Sequence, residues 1–113
     1  MYTQAIASEK AEVMQHYGDD FASSGHLMLV RLTGKGEQER NELITAMAER
    51  GIATNVHYKP LPLHTAYKNL GFSIEDYPNA YEMYHNEITL PLHTCLTDEQ
   101  VRYVTDNFIE LNK

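Results

Sequence analysis

"GIATNVHYKPLPLHTAYKNLGF", Gly51 to Phe72, is the stretch on which the fold turns. Its 22 residues hold two histidines, three tyrosine or phenylalanine rings, two prolines and two lysines. Gly51 closes a helix. Glu37 to Arg50 carries Leu43, Ile44, Met47 and Ala48 at helical spacing, and glycine most readily takes the left-handed geometry of a helix end. "IATNVHY" then returns as a strand. "KPLPL" stops it, because each proline lacks an amide donor and pushes its predecessor towards extended geometry. Leu61, Leu63, Leu70 and Phe72 are expected to plug the core, with His64 and Tyr67 capping the packing.

On the N-terminal side, "HLMLVRL", His26 to Leu32, is too short for a buried helix and reads as a strand, followed by a "TGKG" turn. Before it, Gln4 to Tyr17 reads as a helix with Ile6, Val13, Met14 and Tyr17 on one face and Gly18 at its end. On the C-terminal side a helix is expected from Ser73, with Asp76 as its cap and Ala80, Tyr81, Tyr84 and Ile88 at helical spacing. "ITLPL" is a third, short strand that Pro91 cuts off, which suits an edge or a strand end. The last helix is the best marked. Thr97 with Gln100 makes a capping box, Leu96 and Val101 a staple, and Val101, Val104, Phe108 and Leu111 the buried face. The expected fold class is therefore α+β: a small three-stranded, mainly antiparallel sheet with helices packed mostly on one face. One face of so small a sheet stays poorly covered. A helix that starts almost at Met1 further suggests that the residues belong to a longer protein.

Composition narrows the functional classes. The chain has 113 residues, 42% of them hydrophobic and 22% charged, which suits one globular domain. The net charge of −7, with basic residues scattered, argues against nucleic-acid binding. No apolar run is long enough for a membrane span, and no basic-then-apolar leader opens the chain. One cysteine, Cys95, cannot form an internal disulfide, and a cytoplasmic location is the simplest expectation.

Several chemistries can be weighed residue by residue. Metal binding is poorly served. His57 and His64 are seven residues apart, His93 and Cys95 form a His-x-Cys pair, and neither spacing matches a zinc framework. Cys95 reads as a half-buried small hydrophobe rather than a nucleophile. "TGKGEQER" lacks the spacing of a phosphate-binding loop and reads as a solvated turn. None of the five lysines has the apolar surroundings that activate an imine-forming amine. The quoted loop keeps two readings open: a proline-stiffened crossing, or a loop on which a rigid scaffold presents His57 and Tyr58.

Longer stretches carry a resemblance. "RNELITAMAERGIATNVHYKPLPLHTAYKNLGF", Arg40 to Phe72, is followed by "DYPNAYEMYHNEITLPLHTCLTDEQVRYVTDNF", Asp76 to Phe108. Their order of helix, Gly-Ile, histidine before an aromatic, Pro-Leu-His, Leu-Gly-aromatic, acidic-aromatic-Pro, Leu-Pro and Leu-Thr-Asp-Glu-Gln resembles the C-terminal part of the DegT/DnrJ/EryC1/StrS sugar aminotransferases. It covers about residues 26 to 111, with the first 25 matching only as a lead-in helix and loop.

The resemblance implies the small domain, residues 26–113, of a pyridoxal 5'-phosphate enzyme of the aspartate-aminotransferase fold. Such enzymes move an amino group, usually from glutamate, onto a nucleotide-linked keto sugar. It implies that the imine-forming lysine and the phosphate cup lie in a separate large domain. This chain alone is then expected to bind no cofactor and to be inactive, with a homodimer in the full enzyme. At the matched positions, His57 is expected beside the cofactor lysine, with Tyr58 contacting substrate and His64 supporting the loop. Lys59 would meet a phosphate and Arg31 an anionic group, unless Arg31 serves only a salt bridge. A free-standing small-molecule-binding module and a histidine-based metal hydrolase are the competing expectations.

Overall fold

The structure, a computed structural model, describes residues 1–8 and 10–113. Its centre is a three-stranded antiparallel sheet in the order β1-β2-β3, formed by Ala11–Val13, Met28–Leu32 and Glu87–Leu90. Among the described residues five α-helices accompany it: α1, Tyr2–Ile6; α2, Glu37–Glu49; α3, Thr65–Asn69; α4, Pro78–Tyr84; and α5, Asp98–Leu111. Met28, Val30 and Leu32 alternate inward along the central strand, and register sets Val30 against Ile88 and Met28 against Leu90. Leu43 and Met47 of α2, Val104 and Phe108 of α5, and Tyr2 and Ile6 of α1 complete the core on that side. Helices on one face of an antiparallel sheet are the expected α+β architecture.

Two of the expected three strands are present, and the third is a different one. The helix expected from Gln4 to Tyr17 ends at Ile6. Ser8 then makes local bonds that compete with helix: its hydroxyl accepts from the Lys10 amide at 3.2 Å, and it bridges to Ala11. Ala11 and Val13 alternate towards the core as β1, so of the expected stripe Ile6 sits on a helical turn and Val13 on a strand, while Met14 and the 75%-exposed Tyr17 lie beyond both. Residues 2–6 and 11–13 thus supply part of the core and the sheet. Gly18 caps no helix. It donates to the Phe21 carbonyl at 3.0 Å in a turn where any Cβ would collide with the Phe21 ring.

"IATNVHY" is the other difference. It meets the sheet at one residue: Asn55 exchanges backbone hydrogen bonds with Thr89 at 2.7 and 3.2 Å and leaves. The Asn55 side chain takes the next amide, Val56, at 2.8 Å, and that local bond replaces a further rung of the ladder. Downstream, Asp76 lies in a 3-10 turn capped by Ser73, α4 begins at Pro78, and Ile88 belongs to β3. β3 is an edge strand, as Pro91 suggested.

Gly51 does end α2, at φ +74°, and the Thr97–Gln100 capping box forms with both reciprocal bonds, at 3.0 and 3.2 Å. The two ends of the chain meet at Asn112. Its amide donates to the Lys10 carbonyl at 3.2 Å, and its oxygen accepts Lys35 Nζ at 2.7 Å. Among the described residues, no helix is long and apolar enough to cross a membrane.

Candidate functional site

Edge strand β3 presents alternate residues to two faces. Ile88 and Leu90 enter the core, and Glu87 and Thr89 occupy the opposite face. There they take hold of the departing loop. His57 donates its backbone N–H to Glu87 Oε2 at 2.9 Å, so a carboxylate supplies the acceptor that a continuing strand would have supplied. The His57 ring nitrogen Nδ1 lies 2.9 Å from Thr89 Oγ1, and that hydroxyl donates to Glu87 Oε1 at 2.5 Å. Glu87 and Thr89 are buried, at 4% and 6% exposure. Burial pushes the Glu87 carboxyl above its ordinary value, opposed by the bonds from Thr89 and the His57 amide. His57 is thus held through both backbone and ring, while the ring remains half-exposed.

Beyond β3, Arg40 of α2 braces the same strand. Its guanidinium is 2% exposed, lies 4.9 Å from the centre of the Tyr84 ring, and donates to the carbonyls of Tyr84 and Glu87 at 3.3 and 3.2 Å. Site and core are therefore coupled through one backbone segment.

The neighbours of His57 face outward. The peptide joining His57 to Tyr58 is cis, and the two rings meet edge to face at 4.7 Å. Tyr58 is 70% exposed, and Lys59 is also exposed. His64 Nε2 carries a proton to the Lys59 carbonyl at 3.3 Å, which fastens the loop to itself and suits a supporting part. A depression of about 280 Å³ opens at His57, walled by His26, Leu27, Thr54, Pro91 and Leu92. Thr54 Oγ1 is buried without a hydrogen-bond partner and belongs to the same wall.

Arg31 stands apart from this group. Its side chain donates to Asn86 Oδ1, the Glu82 carbonyl and Glu82 Oε1, each at 3.1 Å, and approaches Glu12 at 4.0 Å. All three guanidinium nitrogens are engaged, and the geometry supports the salt-bridge alternative rather than an anion contact. Leu61, Leu70 and Phe72 do not plug the core; they are 56%, 74% and 45% exposed. With Pro60, Pro62, Tyr67, Tyr77 and Ala80, Leu61 and Phe72 line a separate apolar groove. Cys95, expected half-buried, is exposed. Among the described residues no three His, Cys, Asp or Glu side chains gather as a metal-binding set, so His57 with His64 and His93 with Cys95 form no such group.

Glu87, Thr89 and Arg40 escaped the reading of the sequence. The signal for the first two was present in "NEITL", where polar residues at i and i+2 interrupt an apolar strand on one face. Arg40 had none, being one charged residue among several on a helix.

The DegT/DnrJ/EryC1/StrS aminotransferase family model matches residues 1–109. The spore coat polysaccharide biosynthesis protein SpsC of Bacillus subtilis is 35% identical over 86 residues, 74% of this chain and 22% of that protein. A UDP-4-amino-4,6-dideoxy-N-acetyl-beta-L-altrosamine transaminase of Helicobacter pylori is 31% identical over 88 residues, 78% of this chain and 23% of that protein. A Streptococcus pneumoniae protein assigned to the sugar aminotransferases, solved in its PMP form, superposes with a TM-score of 0.94 at 48% identity, over 98% of this chain and 28% of its own. The chain spans less than a quarter of the length of these two curated relatives.

Proposed function

The chain belongs to the DegT/DnrJ/EryC1/StrS aminotransferase family, and from that membership we propose that it is the C-terminal small domain of an enzyme that aminates nucleotide-linked keto sugars. The amino donor in this reading is glutamate, the carrier is pyridoxal 5'-phosphate, and the whole enzyme works as a cytoplasmic homodimer. The carrier would supply the carbon that accepts and hands on the amino group. The lysines of this chain fit no seat for it. Lys10, Lys59, Lys68 and Lys113 are exposed, and the Lys35 amine is tied to Asn112. We therefore place the imine-forming lysine in a large domain outside these residues, and expect neither cofactor binding nor turnover from the 113 residues alone.

The observation that carries the proposal is the mounting of His57. An imidazole held through its amide and Nδ1, yet half-exposed at the rim of a cleft, is placed to exchange protons with an amine docked against it. Tyr58 offers a substrate an exposed aromatic edge, and Lys59 a mobile positive charge for a phosphate. His64 keeps the loop in shape, and Arg31 braces the sheet.

The test is His57→Gln in the full-length enzyme, assayed for transamination of a nucleotide-linked keto sugar with glutamate. Loss of general acid–base help predicts a fall of about 10²- to 10⁴-fold in turnover, with the cofactor still bound as judged by its absorbance. Unchanged turnover would remove His57 from the chemistry. An absorbance band from added cofactor with turnover by the chain alone would refute the placement of the lysine elsewhere.

A further inference from the structure

We propose that Glu87, acting through Thr89, is a positioning residue that fixes His57 in the tautomer protonated at Nδ1, leaving Nε2 as the bare, proton-accepting nitrogen. For its use in chemistry this rests on the role given to His57 above; for its truth it rests on hydrogen-bond accounting alone.

A threonine hydroxyl has one proton. Here that proton goes to Glu87 Oε1 at 2.5 Å. Thr89 Oγ1 can therefore only accept from the ring nitrogen 2.9 Å away, and His57 Nδ1 must carry a hydrogen. A neutral imidazole protonated at Nδ1 has its lone pair on Nε2. The other carboxylate oxygen of Glu87 takes the His57 amide at 2.9 Å, so one end of the carboxylate holds His57 directly and the other holds it through Thr89. With Glu87 and Thr89 buried, water does not compete for these bonds. Arg40 reaches the Glu87 carbonyl rather than its carboxylate, so the direction of the chain is set by Glu87 itself. Removing the carboxylate frees the Thr89 proton to turn towards Nδ1, and the ring must then carry its hydrogen on Nε2. Two residues of one strand, spaced 30 and 32 positions from His57, thus decide which nitrogen works.

Ring-nitrogen NMR of the 113-residue chain with ¹⁵N-labelled histidine tests this directly, at a pH where His57 is neutral. The unprotonated nitrogen resonates well downfield of the protonated one, and in the wild type the downfield signal is expected from Nε2. Thr89→Ser should preserve that pattern. Thr89→Val and Glu87→Met should each reverse it, bringing the downfield signal to Nδ1. A wild-type ring protonated at Nε2, or a pattern unchanged in Thr89→Val, overturns the proposal. Should Glu87→Met fail to fold, the Thr89 pair decides alone, since serine and valine both approximate threonine in size. No turnover is measured, so these results stand or fall separately from the aminotransferase assay.

Discussion

The carboxylate of Glu87 accepts the backbone amide of His57 at 2.9 Å, across 30 positions of sequence. A side chain here does what a ladder carbonyl does in a sheet, and in doing so it turns a would-be strand into a loop. The same carboxylate is buried, which raises its protonation point through desolvation and gives stability a sign that can be measured. Because the folded value lies above the ordinary 4.5, the contribution of Glu87 is fully present below that value and is lost as pH climbs through the folded one. Glu87→Gln does not titrate. Urea unfolding across a pH series should show the wild type losing stability relative to the variant as pH rises from about 4.5. A constant difference would mean that burial does not tax this carboxylate. Glu39 and Glu110, whose values are lowered by backbone bonds and by Arg50, act in the opposite sense in both proteins and cancel in the comparison.

Arg40 should behave as a buried clasp rather than a surface charge. Arg40→Met keeps length and apolar contact but leaves the carbonyls of Tyr84 and Glu87 without their donor. Each orphaned carbonyl costs about 1 to 3 kcal/mol, so the urea midpoint should fall markedly. A midpoint shift no larger than that of an exposed arginine such as Arg102 would contradict the clasp.

The helix ends give smaller, cleaner numbers. Thr97→Ala removes the hydroxyl that accepts the Gln100 amide and should cost about 1 kcal/mol, read from chemical denaturation. A neutral result would mean that solvent replaces the capping box at no loss.

Gly51→Ala should cost about 1 to 2 kcal/mol through backbone strain alone, because φ is +74° and an added methyl meets nothing within 4 Å. Gly18→Ala, by contrast, should be felt by the Phe21 ring and not by the backbone. Comparing the two by thermal unfolding separates conformational from steric need for glycine.

What the sequence made legible was whatever depended on neighbours along the chain. The Thr97 box, the Gly51 terminus, the α2 and α5 stripes and the edge character of β3 are all local, and all were readable. The errors fall where a distant partner decides. Ala11 to Val13 became a strand because β2 lies beside it, and the stretch after Ile52 did not, because the Asn55 side chain takes the Val56 amide and Glu87 the His57 amide. Leu61, Leu70 and Phe72 were apolar enough for a core, yet they sit on an excursion that the sheet never reaches. The candidate loop was visible in "NVHY", but the partners that hold His57 lie 30 and 32 positions further on.

The contacts of Asn112 have a further result. By joining the Lys10 carbonyl to the Lys35 amine, that side chain ties the first strand to the last helix. Fraying at one terminus therefore cannot proceed without loosening the other. Hydrogen exchange should reveal the amides of Ala11–Val13 and of the last turn of α5 opening as a single unit, with Asn112→Ala accelerating both sets in parallel.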